Sequence, residues 1–171
     1  MSTMNKWSID PTHSEVSFKV KHLVISTVTG YFKSFEGGAE ASSDDFQGAK
    51  VSFTADINSI DTNQSDRDNH LKSADFFDAE KFPKMSFTGV LNGSTLTGDL
   101  TIKDVTKTVE LDVDFGGVVA DPYGNTKAGF EIEGKISRKE FGLTWNFVTE
   151  AGSVVVSDQV RIVLSVQLVK Q

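Results

Sequence analysis

The sequence predicts an all-β protein of about eight main antiparallel strands, closed into a barrel or stacked as a sandwich, with a short helical insert around residues 64–78. Three observations carry this. Apolar and polar residues alternate with period two along most of the chain, as in Ser14, Val16, Phe18 and Val20 against Glu15, Ser17, Lys19 and Lys21. The alternation stops between Ser59 and Phe77 and then resumes. Finally, there are 13 Phe but only 2 Tyr and 2 Trp, and a ring with no polar atom suits a dry interior.

In chain order, Trp7 to Asp10 reads as a short strand stopped by Pro11, and the strand from Ser14 follows. His22 to Val28 breaks the pattern and predicts a short helical turn. A strand from Thr29 to about Ala41 carries Tyr31, Phe32 and Phe35, with a kink or bulge at Gly37-Gly38. Val51, Phe53, Ala55 and Ile57 form one face of the next strand. In the insert, Ser65 reads as an N-cap with Asp66 and Asp68 in the first turn. Arg67, His70 and Leu71 fall on one helical side, and a second short turn carries Phe76 and Phe77.

Phe82-Pro83 restarts the sheet. Asn92-Gly93 predicts a two-residue type I′ hairpin with Leu91 facing Ser94, Phe87 facing Gly98 and Met85 facing Leu100, and with Thr88–Thr97 and Ser86–Asp99 on the other face. Lys103-Asp104-Val105-Thr106 is another tight connection. Strands follow through Val109–Phe115, Ala128–Ile136 and Val160–Leu168, with Gly116-Gly117 and Asp121-Pro122-Tyr123-Gly124 as loop punctuation. The connection from Arg138 to Asp158 is long and apolar and predicts a lid or binding loop.

Composition bounds the function. Residues 1–171 read as one domain with no linker or repeat. The net charge of −7 argues against nucleic acid and against anionic lipid surfaces. No apolar run approaches a membrane span, and Met1 to Ser8 lack an apolar leader core, so a cytoplasmic protein without membrane insertion is expected. With no cysteine there is no disulfide and no thiol chemistry. His13, His22 and His70 lack metal-site spacing, so no metal is expected, and no cofactor motif is present. Composition does not separate a Phe-filled core from a Phe-lined hollow.

Several stretches are similar to one family. Trp7-x-Ile9-Asp10-x-x-His13-Ser14-x-Val16-x-Phe18-x-Val20-x-His22, Gly30-x-Phe32, Ser59-Ile60-x-Thr62, Arg67-Asp68-x-His70-Leu71 and Phe76-Phe77 resemble the YceI-like family. So do Leu100-Thr101-Ile102 with Val105-Thr106-Lys107, Arg138-x-x-Phe141-Gly142 and the final strand after Ser157-Asp158. The resemblance implies a lipocalin-like barrel that holds a long amphipathic lipid, such as a polyisoprenoid or an isoprenoid quinone, and it leaves a homodimer open.

The expected wall of the cavity is Phe18, Val20, Phe32, Phe53, Leu71, Phe76, Phe77, Phe87, Leu100, Ile102, Phe130, Ile132 and Trp145. Arg67, Asp68 and His70 either contact a polar head or tie the helix to the rim. The expected function is non-catalytic carriage of a long-chain apolar small molecule. The alternatives are a hydrolase or isomerase using His70 and Asp68, and a filled-core structural protein without a ligand.

Overall fold

The structure, a computed structural model, describes residues 4–22, 26–74, 76–143 and 156–171. Eleven strands form one antiparallel sheet: β1 (Asn5–Ile9), β2 (Glu15–His22), β3 (Ser26–Phe32), β4 (Phe35–Ala41), β5 (Lys50–Asp56), β6 (Ile60–Asp61), β7 (Lys84–Asn92), β8 (Thr95–Ile102), β9 (Val105–Ala120), β10 (Thr126–Ser137) and β11 (Val156–Lys170). One helix, α1 (Ser65–Lys72), lies between β6 and β7 in the chain.

Eight of these strands close a ring in the order β1-β4-β5-β7-β8-β9-β10-β11, because β1 also pairs with β11 through Trp7↔Lys170 and Ile9↔Leu168. The other three prolong ring members: β2 continues β1 along β11, β3 lies above β4, and β6 continues β5. Eight staves therefore appear as eleven segments, three of the staves being broken.

The breaks have local causes. Pro11 has no N–H to give the ladder, and the Asp10 side chain accepts from the Thr12 amide, winding Pro11–His13 into a 3-10 turn. The stave made of β3 and β4 breaks at Lys33-Ser34 and not at Gly37-Gly38, which stay within β4. There the Lys33 amide donates to the Ser59 carbonyl (3.2 Å) and the Asp56 amide to the Ser34 carbonyl (2.9 Å). The helical turn expected across His22 to Val28 is corrected at both described ends: His22 closes β2 and Ser26 to Val28 open β3. The residues between them lie outside the described ones.

The β7–β8 hairpin is displaced from the sequence expectation. Gly93, at φ +62°, is the first central residue of the turn, as in a type II′ hairpin, so Asn92 pairs with Thr95 and Leu91 with Leu96. Phe87 faces Leu100, Thr88 faces Asp99 and Ser86 faces Thr101. The shift of two residues keeps every side chain on its expected face, and it buries Leu91 and Leu96 against each other. The Phe87 ring still lies over residues without side chains: a Cβ on Gly98 would come 2.7 Å from it, and one on Gly89 2.8 Å.

Gly116-Gly117, expected in a loop, is a bulge inside β9. Phe130 pairs with Phe115 and Gly129 with Gly117, which has φ +106°. The helix is capped by Gln64 rather than Ser65: the Gln64 side chain accepts from the Arg67 amide (2.5 Å), so the helix starts one residue earlier than expected. Asp66 and Asp68 occupy its first turn as expected.

Lys103 and Asp104 both take left-handed backbone (φ +53° and +63°) in the two-residue β8–β9 turn. A type I′ turn favours glycine at its second central position. Asp104→Gly is therefore expected to raise stability by about 0.5–1 kcal/mol, read as a higher denaturant midpoint at unchanged m-value. A lower midpoint would show that the Asp104 side chain does something the backbone argument omits.

The barrel has two unlike ends. At the lower end lie the β4–β5 connection, the Gly93 turn and the turn after Ala120. At the upper end lie the start of β3, α1, the β8–β9 turn, the end of β10 and the start of β11. The β5–β7 ladder stops at Asp56↔Lys84, above which β6 pairs only with β3 among the described residues. The chain bridges this interval through α1 and the turn carrying Phe76 and Phe77.

Candidate ligand cavity

Period-two alternation turns one side of every stave inward, and those sides enclose a cavity of about 220 Å³. On this measure one water needs about 10–15 Å³, so the hollow has room for roughly fifteen to twenty water-sized groups, on the order of three to four isoprene units.

The inner surface changes along the barrel. On β11, Val166 and Leu168 are buried but Ile162 and Leu164 are half-buried. On β10, Ala128 and Phe130 are buried while Ile132 and Ile136 are half-buried. On β2, Val16 is buried and Phe18 and Val20 are half-buried. These half-buried residues all line the cavity, so their exposure is to the hollow, which lies toward the upper end.

The lower end is packed shut by Phe46, 1% exposed. Its ring centroid lies 4.9 Å from Trp7, 5.5 Å from Phe115 and 5.0 Å from Phe130. The loop that carries it is latched to the next hairpin, where the Gly93 amide donates to Gln47 Oε1 (2.7 Å). Toward the upper end the insert adds Leu71, Phe76 and Phe77 to the wall, with Phe77 edge-on to Phe32 at 6.1 Å and Phe32 5.6 Å from Phe18.

Phe18, Val20, Phe32, Phe53, Leu71, Phe76, Phe77, Phe87, Leu100, Ile102, Phe130 and Ile132 all lie on the cavity wall. Trp145, and most of the connection expected to act as a lid, lie outside the described residues. Sequence reasoning missed Phe46 and Arg138. Phe46 sits in a polar loop with no periodicity to mark it. Arg138 is a charged residue that alternation places nowhere.

Arg67, Asp68 and His70 are not on the wall. Arg67 Nε donates to Thr62 Oγ1 (2.7 Å) and Nη2 to the Thr62 carbonyl (2.6 Å). The Thr62 hydroxyl and amide in turn donate to Asp68 Oδ1 (2.5 and 2.8 Å). This network, centred on the buried Thr62, clamps the first turns of α1 to the end of β6. His70 stands edge-on to Phe76, with centroids 5.2 Å apart.

Arg138 behaves differently. It is 3% exposed, it lines the cavity, and its Nη1 donates to the Leu143 carbonyl (2.6 Å). Burial pulls its pKa below the ordinary arginine value, and the nearby Asp158 charge opposes that pull. Asp158 is held below the usual carboxylate range, chiefly by the Ser137 hydroxyl and also by the Lys139 amide and the Arg138 charge.

Polar chemistry elsewhere is structural in form. At the β1–β2 break the Asp10 carboxyl is held well below its ordinary range, first by the Thr12 hydroxyl, then by His13 Nδ1 (2.8 Å) and Lys127 Nζ (3.0 Å). Among the described residues no group of three or more His, Asp or Glu is placed to hold a metal ion. No helix among them is long and apolar enough to cross a membrane, a statement that does not bear on β-strands.

A closed antiparallel barrel with a short helix and an apolar hollow defines the class of protein. Comparison with known proteins gives the family: the YceI-like domain matches residues 7–168, and the chain belongs to that family. A UPF0312 protein of Staphylococcus epidermidis is 40% identical over 160 residues, covering 92% of this chain and 94% of that one. One from Staphylococcus aureus is 38% identical over the same length and coverage.

Among solved structures, a Campylobacter jejuni YCEI protein superposes with a TM-score of 0.73 at 33% identity, over 88% of this chain and 90% of that one. BcnA of Burkholderia cenocepacia gives 0.76 at 23% identity, over 93% and 98%. A polyisoprenoid binding domain from Saccharophagus degradans, implicated in plant cell wall breakdown, gives 0.74 at 15% identity, over 96% and 98%. The last two likenesses speak to the fold.

Proposed function

We propose that this protein binds and carries a long-chain amphipathic lipid, a polyisoprenoid or an isoprenoid quinone, without transforming it. One observation carries the reading. The inward residues of β2, β10 and β11 pass from buried at one end to half-buried at the other, around a hollow walled almost entirely by hydrocarbon. Family membership and the polyisoprenoid-binding neighbour support it.

The energetics fit. Burying one five-carbon isoprene unit gains about 4 kcal/mol gross, at roughly 0.8 per methylene-sized group. Ordering the chain and losing its free motion take back a large part. Phe18, Phe53, Leu100 and Ile132 are then tail contacts, as are the other wall residues expected from the sequence. No comparable observation favours a hydrolase or isomerase built on His70 and Asp68. The Asp68 carboxylate is engaged by Thr62, and neither residue reaches the wall.

Titration with isoprenoid quinones of increasing tail length tests the proposal. Affinity is expected to rise about tenfold or more per added unit and to level off after roughly three to four units, when the hollow is full. Equal affinity for short and long tails would refute it.

A further inference from the structure

We infer that the outer face of β2, β10 and β11, beside the upper end of the hollow, docks on a bilayer surface that carries anionic lipid. The inference rests on the carrier reading above and deepens it, because a guest drawn from a bilayer leaves it where the barrel touches it.

The ladder registers set the charges in rows. Lys135 stands opposite Arg161, and Arg161 opposite Lys19, so three cations lie side by side on adjacent strands. All three are exposed and point away from the hollow, since their chain neighbours Ile136, Ile162 and Phe18 line it. Lys21, two residues further up β2, is exposed on the same face. The next outward residues below the row are Glu133 and Asp112, opposite each other. Below them come Glu131 and Asp114, again opposite each other, with Glu15 on β2 at the same level. The outer surface thus turns from acidic to basic along the strands toward the upper end.

Like charges directly opposite each other weaken a ladder. Elsewhere the signs interleave: Glu40 lies between Lys6 and Lys50, and Lys84 faces Asp56. On β2, β9, β10 and β11 local pairing gives way to separation, relieved in part by an ion pair between Arg161 and Glu133. The separation costs stability and produces a field along the barrel axis. The closed end extends the acidic side with Asp44, Asp45 and Asp121, and Lys127 there is held between Asp10 and Asp121. On the insert side of the upper end the signs mix, with Asp66 and Asp68 beside Arg67 and Lys72 on α1. The basic surface is therefore one flank of that end and not its whole rim.

The net charge of −7, which argued against anionic lipid, hides this segregation. Glu131 lies four residues below Lys135, about 13 Å at ~3.3 Å per residue, and the Debye length at physiological ionic strength is about 8 Å. A flat bilayer touching the basic flank is thus screened from most of the acids, and Glu133, the nearer one, is engaged by Arg161. A nucleic acid running down the strands would meet the acidic rows. The inner side of the same flank, with Phe18, Val20 and Ile162, is the half-buried part of the wall, so docking there sets the lipid surface beside the upper part of the hollow.

The test is flotation with phosphatidylcholine vesicles, either neutral or containing about 30% phosphatidylserine. The wild type is expected to bind the anionic vesicles about a hundredfold or more tighter at low salt, with the difference shrinking as salt rises. Lys19→Gln, Lys21→Gln and Lys135→Gln together are expected to weaken that binding by about thirtyfold or more, at about fivefold per cation. Lys6→Gln, Lys50→Gln and Lys170→Gln together remove the same charge from the closed end and are expected to change it by less than about threefold. The first variant is expected to keep or raise Tm, since it relieves repulsion around Arg161. Lys21→Glu alone, opposite Thr27, is expected to lose about tenfold and gives the same reading from one substitution.

Equal loss in the two triple variants, equal affinity of the wild type for neutral and anionic vesicles, or tighter binding of a single-stranded oligonucleotide than of the anionic vesicles would each overturn the inference. The quinone titration on the same preparations separates it from the carrier reading. A normal tail-length series without vesicle binding overturns the docking surface alone. A flat series overturns the carrier reading alone, and vesicle binding that follows the basic row still supports the surface.

Discussion

Ile132→Trp is expected to abolish lipid binding while leaving the protein folded. Ile132 sits on the inner side of β10, opposite Leu164, where the wall is only half-buried because it borders the hollow. In a filled core, adding an indole costs about 1–3 kcal/mol through off-rotamer side chains and backbone shifts. In an empty one the ring gains contacts where there were none. Tm is therefore expected to hold or rise, and affinity for a quinone with three isoprene units to fall by about a hundredfold or more, as volume equal to one or two units is lost. Calorimetry and lipid titration read the two effects separately. A fall in Tm with binding intact would mean that the interior is solid at this height.

Phe46→Ala attacks the opposite end. The ring is fully buried among Trp7, Phe115 and Phe130, and its removal is expected to cost about 3–5 kcal/mol by denaturant unfolding, since three aromatic neighbours on separate strands cannot all collapse into the gap. It also has a functional consequence. With the plug gone the hollow deepens toward Trp7, so the chain-length series is expected to level off about one isoprene unit later than in the wild type. A plateau at the same length would show that Phe46 packs the floor without limiting the tail.

These two positions mark the difference between what the sequence makes readable and what it hides. Ile132 belongs to an alternating run, and period two alone assigns it to the inner side. The same holds for Phe18, Val20, Phe53, Phe87 and Leu100, all of which reach the wall. The hairpin register differs by two residues from the one the sequence predicts, without harm to this assignment, because a shift of two preserves the face.

Phe46 could not be read this way. It lies in the polar stretch between β4 and β5 and takes left-handed backbone (φ +60°), a conformation held by tertiary packing and not by local propensity. The split between β3 and β4 at Lys33-Ser34 is hidden for a related reason: its bonds run to Ser59 and Asp56, more than twenty residues away. Arg138 was hidden by its chemistry, since a charged residue is normally assigned to the surface. The sequence leaves Arg67 and Asp68 open between a polar-head contact and a rim tie, and it does not single out Thr62, to which both are bonded across six residues or fewer.

The broken staves leave the wall made of two materials. Below Asp56 and Lys84 the barrel is sewn all round by main-chain bonds, and parting it anywhere would rupture a ladder. Above them, on the side facing the insert, the seam is held by rings, aliphatic chains and the Thr62 clamp. Prising that seam apart breaks the bond from the Ile57 amide to the Pro83 carbonyl, the Thr62 clamp and side-chain contacts rather than a whole ladder, a local fluctuation far cheaper than global unfolding. Local opening is therefore expected first along this seam, while the rest of the cylinder stays stitched.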